Sequence, residues 1–274
     1  RSRLEQAGIP CFCDPQDAAD AVAALSGYAK ASACQSQHVQ PMLTAAQRCA
    51  VEEFLRDFPK NEQLVLPERL SKQLLALAGF PVSVPVVAHT AMQAADAAEA
   101  FGYPVALKVE SYVIQHKTDV GGVRLGLQDR AAVKEAFLQM DSAMKRLDPS
   151  ACVTVQPMAQ SGFEVMLGAA RLHDTPLMAA GMGGIYAEAF QDMAFRLAPL
   201  QEGQAERMLQ SLRCAPVLNG FRTPPLDRAG VCQLLQRLSE LMQAFAQIRE
   251  VDLNPCRVYE NGCAILDARI VLQL

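Results

Sequence analysis

The sequence has 274 residues, 51% of them apolar, and a formal net charge of −4. That is enough chain for one large domain or two ordinary ones. The acidic balance argues against a nucleic-acid surface, which needs a basic stripe, and no apolar run approaches a membrane span. Nine cysteines show neither a CxxC pair nor Cys/His ligand spacing, and Cys11 and Cys13 would point to opposite faces of a strand. The thiols therefore read as reduced and mostly buried, in a cytoplasmic protein.

The chain opens on RSRLEQAGIPCF, with no initiator Met and no targeting pattern. A start in mid-helix leads us to expect a longer parent. Residues 1–32 read as helix, turn, a strand at IPCFC and a helix over 15–28, the tail of an α/β domain too small to bury its own core. Lys30 to Pro41 is polar and reads as a linker. Thr44 and Gln47 form a capping box for a helix to about Asp57, which Pro59 ends. This gives segments 1–32, 33–63 (linker with helix) and 64–274.

In the last segment, PERLSKQLLALAGF has Pro67 at a helix start and Gly79 at its stop. Strand VPVVAH, an Ala-rich helix over 91–101, strand YPVALKVE, a polar loop, strand GGVRLGL and a helix over 130–146 follow. Then come strands CVTVQPM, FEVMLGAAR and PLMAAG, the stretch GMGGIYAE, helices near 201–213 and 227–248, and a terminal hairpin. There is no internal repeat. A central run of strands with mixed connections makes the class α+β rather than a regular βαβ series.

Four features carry chemistry. In GMGGIYAE the glycines 181, 183 and 184 imply a close backbone approach, yet no Gly-Lys-Ser/Thr follows and no dinucleotide fingerprint fits. In VALKVE, Val105, Leu107 and Val109 alternate with Lys108, which is either a snorkelling edge residue or a fixed cation for an anion. The loop QHKTDVGG (115–122) reads as a phosphate-facing loop or as a polar surface turn. Glu164 is either a solvated strand end or a hydrogen-bond acceptor for a ribose.

The hairpin is the most informative. A tight primed turn at Asn261-Gly262 that pairs Glu260 with Cys263 sets Cys256 opposite Asp267 and Asn254 opposite Arg269. Asp252, Asn254 and Cys256 then share a face, with Asp267 a diagonal neighbour at roughly 7 Å, while Val251 and Leu253 supply the apolar face. This is a hard-oxygen set suited to Mg²⁺ and phosphate, or a solvated face that a one-residue slip would dissolve.

The order of SKQLLALAGFPV, GYPVALKVESYVIQHKTDVGGVRLGL, VTVQPM, FEVMLGAARLHDTPLMAAGMGGIYAEAFQDMAFRLAPL and EVDLNPCRVYENGCAILDARI resembles the ATP-grasp domain of NDP-forming acyl-CoA synthetases, the succinyl-CoA synthetase superfamily. The resemblance covers about 64–271, and residues 1–32 look like the end of the flavodoxin-like CoA-ligase domain that precedes it in fused members. It implies an ATP-grasp fold of two α+β subdomains, with ATP and Mg²⁺ as cofactors. CoA-binding and CoA-ligase domains are implied upstream or on a partner subunit; no nucleic acid or membrane partner is implied, and a homo-oligomer is left open. Residue by residue, it implies that Lys108, Gly121 and Gly122 face nucleotide phosphates, that Gln156 and Met158 flank adenine, and that Glu164 lies near adenosine. Asn254 and Asp267 would hold Mg²⁺. Asp252 would meet a visiting phosphohistidine, His116 would relay phosphate, and Glu188 would orient the phosphohistidine loop, which docks beside Gly183 and Gly184.

The implied reaction joins an acid to CoA with cleavage of ATP to ADP and phosphate, through an acyl phosphate and an enzyme phosphohistidine. Pro157 stands where the family commonly has Glu, ESYVIQHKTD replaces the more usual SPDILHKSD, and Asp252 replaces Glu. The competing reading is a regulatory nucleotide-binding module of a fused protein-lysine acetyltransferase. An amide-forming ATP-grasp ligase fits the CoA-ligase-like tail less well.

Overall fold

The computed structural model describes residues 8, 10–12, 14–33, 41–59, 62–111, 114, 120–184 and 192–273, so His116 and Glu188 lie outside the described residues. It divides into two units, 1–40 and 41–274. In the first, Asp14 secures the start of α1 (Pro15–Ala33) by accepting the Gln16 N–H at 2.7 Å. The helix continues beyond the expected end at residue 28. Residues 10–12, expected as strand, form none. Val22 and Leu25 remain exposed, as befits a helix with no core of its own.

The second unit begins with the capping box read from the sequence. Thr44 Oγ1 accepts the Gln47 N–H and Gln47 Oε1 accepts the Thr44 N–H, opening α2 (Ala45–Arg56). Val51 and Leu55 of this helix are buried in the main core. From Pro41 on, the segment expected as a linker with a helix is therefore part of the unit that follows it. Its apolar stripe is long enough to pack, which propensity alone does not reveal.

Two antiparallel sheets build the rest. The smaller contains β2 (Val86–Ala88), β3 (Val105–Glu110), β4 (Val123–Leu127) and β5 (Cys152–Pro157) in the order β2-β5-β3-β4. One face packs Val105, Leu107, Val153 and Val155 against α4 (Ala91–Phe101) and α5 (Arg130–Met144). The alternation puts Lys108 on the opposite face.

The larger sheet runs β1 (Gln63–Leu66), β11 (Arg269–Gln273), β9 (Ile248–Val258), β6 (Phe163–Leu172), β7 (Thr175–Met182), β8 (Met193–Leu197), with β10 (Cys263–Ile265) also on β9. Its core joins Leu167, Met178 and Leu253 to residues of α3 (Glu68–Leu77), α6 (Gln204–Gln210), α7 (Ala215–Leu218) and α8 (Arg228–Ala244). Gly79 takes a φ of +78° and stops α3, as its position predicts. Strands β1 and β8 were not anticipated. Cys214 and Cys256 are buried thiols, whereas Cys49 is exposed.

The hairpin departs from the expected register. Cys263 pairs with Val258 and Ile265 with Cys256, two residues away from the predicted alignment, so extension of the register sets Asp267 opposite Asn254. The turn is four residues, Tyr259–Gly262, with the Tyr259 N–H donating to Gly262 O. Asp227, the N-cap of α8, decides this. Its N–H donates to Tyr259 O, and its carboxylate accepts N–H groups from both Gly230 and Gly262. A second correction concerns Cys256. Val165 pairs with Cys256 but Leu167 with Leu253, so three steps of β9 oppose two steps of β6. This bulge turns Cys256 into the core beside Leu253 and leaves Asn254 on the other side.

Asp192 ties the strand entry to α7 by accepting the N–H groups of Arg213 and Cys214, each at 2.8 Å. Desolvation works against its charge, but the two backbone donors prevail and hold the carboxyl below its usual 3.8. That stabilisation is complete above the unfolded value and is lost as pH falls through the depressed folded one. Asp192→Asn is expected to cost about 1–2 kcal/mol near neutral pH and to flatten the acid limb of the stability curve below about pH 4. Urea denaturation from pH 7 to pH 3 measures both, and an unchanged acid limb contradicts the assignment.

Candidate functional site

Between the sheets lies a cleft of about 1110 Å³ whose lining includes Lys108, Gln156, Met158, Glu164, Asn254 and Asp267. The first three come from the small sheet and its exit, the last three from the large sheet and the hairpin. Asp252 joins them. Gly121 and Gly122 stand at the turn before β4, where Gly121 takes a φ of +70° and Gly122 O accepts the Val109 N–H at 2.8 Å. They are not part of that lining.

At the floor of the cleft are two residues that sequence reasoning missed. Glu68 Oε1 receives Lys108 Nζ at 2.7 Å and Lys72 Nζ at 3.0 Å. Lys72, 2% exposed, also donates to Gln156 Oε1 at 3.0 Å and to Leu266 O at 2.8 Å. Burial pulls the Lys72 ammonium below its usual range; Glu68 pulls it back up and Lys108 adds to the fall. Lys108 lies 3.5 Å from Leu266 O and 3.9 Å from Asp267 Oδ2. Glu68 and Lys72 are spaced i,i+4 on α3, a spacing that on a sequence also describes an ordinary solvated pair.

The hairpin contributes oxygen. Asp252 Oδ1 is buried without a hydrogen-bond partner. Burial pushes its carboxyl up, Glu250 and Asp267 add to the rise, and Arg269 opposes it. Asn254 Oδ1 accepts the Gly184 N–H at 3.2 Å, which leaves one lone pair of that oxygen. Among the described residues no group of three or more Asp, Glu, His or Cys side chains is arranged to hold a metal alone. The set here is two carboxylates and an amide, all hard oxygens, which fits a cation whose remaining positions are filled by phosphate and water.

Toward the other end, Arg257 clamps Glu164. Its Nε and Nη2 both donate to Glu164 Oε1, at 3.0 and 2.9 Å, and its Nη1 donates to Ala159 O and Gln160 O. Met158 N–H is already bound to Pro104 O at 3.1 Å, and Pro157 has none to offer. At the start of the loop after β3, Asp148 accepts the Ser111 and Ser150 hydroxyls, both at 2.6 Å, and Ser111 Oγ accepts the Ile114 N–H.

The glycines of GMGGIYAE answer an internal demand. A Cβ on Gly183 would lie 2.5 Å from the Val165 carbonyl carbon, and one on Gly184, at φ +68°, would lie 2.1 Å from Glu164 Oε2. Gly181 is crowded by Asp192 O at 2.5 Å. These positions let β6, β7 and the entry to β8 approach one another, so a visiting loop is not needed to explain them.

A family profile described as an ATP-grasp domain matches residues 57–272. The chain belongs to the ATP-grasp family. Its relatives place it with the ADP-forming acyl-CoA ligases. The ADP-forming acetate–CoA ligase I of Archaeoglobus fulgidus is 34% identical over 98% of this chain and 40% of its own length. The beta subunit of the ADP-forming acetate–CoA ligase I of Pyrococcus furiosus is 32% identical over 78% of this chain and 93% of that subunit. The chain thus spans about 40% of the Archaeoglobus ligase but nearly all of the Pyrococcus subunit. Among solved structures, acetyl-coenzyme A synthetase 1 of Ca. Korarchaeum cryptofilum, in complex with coenzyme A and Ca-AMPCP, aligns with a TM-score of 0.74 at 31% identity, covering 83% of this chain and all of that one. The same synthetase with Mg-AMPPCP, its phosphohistidine segment pointing towards the nucleotide-binding site, aligns at 0.69 and 30% over the same shares. The expected ATP-grasp fold of two α+β subdomains is the fold observed.

The Arg257 clamp is open to test. Arg257→Ala is expected to cost about 1–3 kcal/mol, because it strands an acceptor carboxylate and two carbonyls. Arg257→Lys should recover less than half of that, since an ammonium cannot reproduce the planar fork. Urea denaturation of the three proteins decides it; equal stability of the Lys variant and the parent contradicts the clamp.

Proposed function

We propose that this chain is the nucleotide-binding part of an ADP-forming acyl-CoA synthetase. Phosphate passes there between ATP or ADP and an enzyme phosphohistidine while an acid and CoA are joined. The observation that supports it best is the placement of Lys108 and the oxygens of Asp252, Asn254 and Asp267 around one cleft between the two sheets. A phosphoryl step asks mainly for positioning and charge neutralisation. Lys108 supplies a fixed positive charge, held in direction by Glu68 and Leu266 O. Mg²⁺, held by Asn254 and Asp267 with phosphate, would neutralise charge on the phosphates. Asp252 stands next to that position, where a phosphohistidine would arrive.

The hinge 156–158 takes the base. Gln156 Oε1 is committed to Lys72, and neither 157 nor 158 has a free N–H. That leaves backbone carbonyls as acceptors, which suits a base with an exocyclic amine such as adenine. Glu164, oriented by Arg257, accepts from the ribose. Gly121 and Gly122 belong to the loop that covers the phosphates, with His116 as a relay and Glu188 orienting the visiting segment. The CoA-binding and CoA-ligase parts belong upstream in the same polypeptide, or on a partner subunit, as the name of the Pyrococcus relative suggests. The site of action is the cytoplasm.

The deciding experiment is ADP release by the full-length protein with Mg-ATP, CoA and a panel of carboxylic acids. Acid-dependent release is expected. Nucleotide binding with no release for any acid favours the regulatory reading instead. Lys108→Met and Asp267→Ala are each expected to weaken Mg-ATP binding by about tenfold or more in calorimetry. An unchanged affinity in Asp267→Ala removes that residue from the metal site.

A further inference from the structure

Lys72 is a buried cation that the phosphoryl chemistry does not call for. Its ammonium has three hydrogens and three acceptors: Glu68 Oε1, Gln156 Oε1 and Leu266 O. It has no donor left for a phosphate. Glu68, in turn, is shared between Lys72 and Lys108, so these three side chains carry two positive charges and one negative. Among the described residues Asp267 adds a further charge, 3.9 Å from Lys108, and its side chain is 49% exposed.

We infer that Lys72 is a positioning residue for nucleotide binding: by matching the charge of Glu68, it leaves the charge of Lys108 available to an incoming phosphate. Without Lys72, Glu68 and Lys108 would form a neutral pair, with a 2.7 Å contact that a phosphate must break. With Lys72 present, Glu68 serves as a hydrogen-bonded support for both lysines, and these three side chains keep one positive charge, presented by Lys108, which Asp267 balances until a cation takes up that carboxylate. The same ammonium fixes the Gln156 amide with its oxygen turned away from the base, and holds the Leu266 carbonyl beside Asp267. One buried charge thereby sets the phosphate end, the base end and the entry of the metal-binding hairpin. This inference rests on the nucleotide reading given above.

The test compares full-length wild type, Lys72→Met and the double variant Lys72→Met/Glu68→Gln, titrated with the non-hydrolysable analogue Mg-AMPPCP by calorimetry. Lys72→Met is expected to bind about tenfold more weakly, because Lys108 is now neutralised internally. Removing the Glu68 charge as well should bring affinity back to within about threefold of wild type. A residue that merely fills space would give no such recovery. A double variant that stays as weak as Lys72→Met, or a Lys72→Met protein that binds like wild type, overturns the inference and leaves the nucleotide reading intact. Should Lys72→Met not fold, the double variant decides alone, its remaining ammonium, Lys108, still having Leu266 O and Asp267 within reach: wild-type affinity supports the inference and a tenfold loss overturns it. Wild type that does not bind Mg-AMPPCP overturns the nucleotide reading and this inference with it.

Discussion

One carboxylate oxygen, Glu68 Oε1, sits between the ammonium groups of Lys72 and Lys108, and much of the cleft depends on that contact. A buried charge is tolerable only where its partners close around it. Here the partners come from different places in the chain: α3 supplies Glu68 and Lys72, β3 supplies Lys108, β5 supplies Gln156, and the segment between β10 and β11 supplies Leu266 O. The electrostatic demand of one buried pair therefore sets how the small sheet meets the large one. Hydrophobic packing stabilises each lobe separately, through two distinct sets of buried side chains.

The opposite end of the cleft obeys a steric constraint. Glycines 181, 183 and 184 allow β7 and the chain after it to lie against Val165, Glu164 and Asp192 at distances that a Cβ forbids. The Gly184 N–H then reaches Asn254, and Arg257 holds Glu164 together with the carbonyls of residues 159 and 160. The bulge in β9 separates these roles, sending Cys256 inward and leaving Asn254 facing the cleft. Backbone detail decides which side chains can serve a ligand at all.

Local signals in the sequence were read correctly where local physics decides the outcome. The capping box at Thr44 and Gln47, the helix stop at Gly79 and the alternation around Lys108 need only a few neighbouring residues to be expressed. The parts that were misread depend on remote partners. β1 is recruited by β11 at the other end of the chain, and β8 by β7 across the intervening segment. The hairpin register is set by Asp227, not by the Asn-Gly pair itself. Glu68 and Lys72 look like a solvated helix pair until the sheets that bury them are in place. The face carrying Asp252 and Asn254 survived the register error because the shift was by two residues, which preserves the side of the strand.

On the proposed reading, the charges along the cleft would make nucleotide and cation members of one complex. At the hairpin end, burial raises the cost of ionising Asp252, and Glu250 and Asp267 add to it. A polyphosphate alone would be repelled there, however strongly the lysine end drew it in. A divalent cation alone would satisfy the carboxylates but would have no more than an amide oxygen to add from Asn254, and it would face the surplus positive charge of the lysines. Together, the cation would relieve the carboxylates and the phosphates would complete its shell while meeting Lys108. Each ligand removes the electrostatic obstacle to the other, which is a positive coupling between them with no change of fold required.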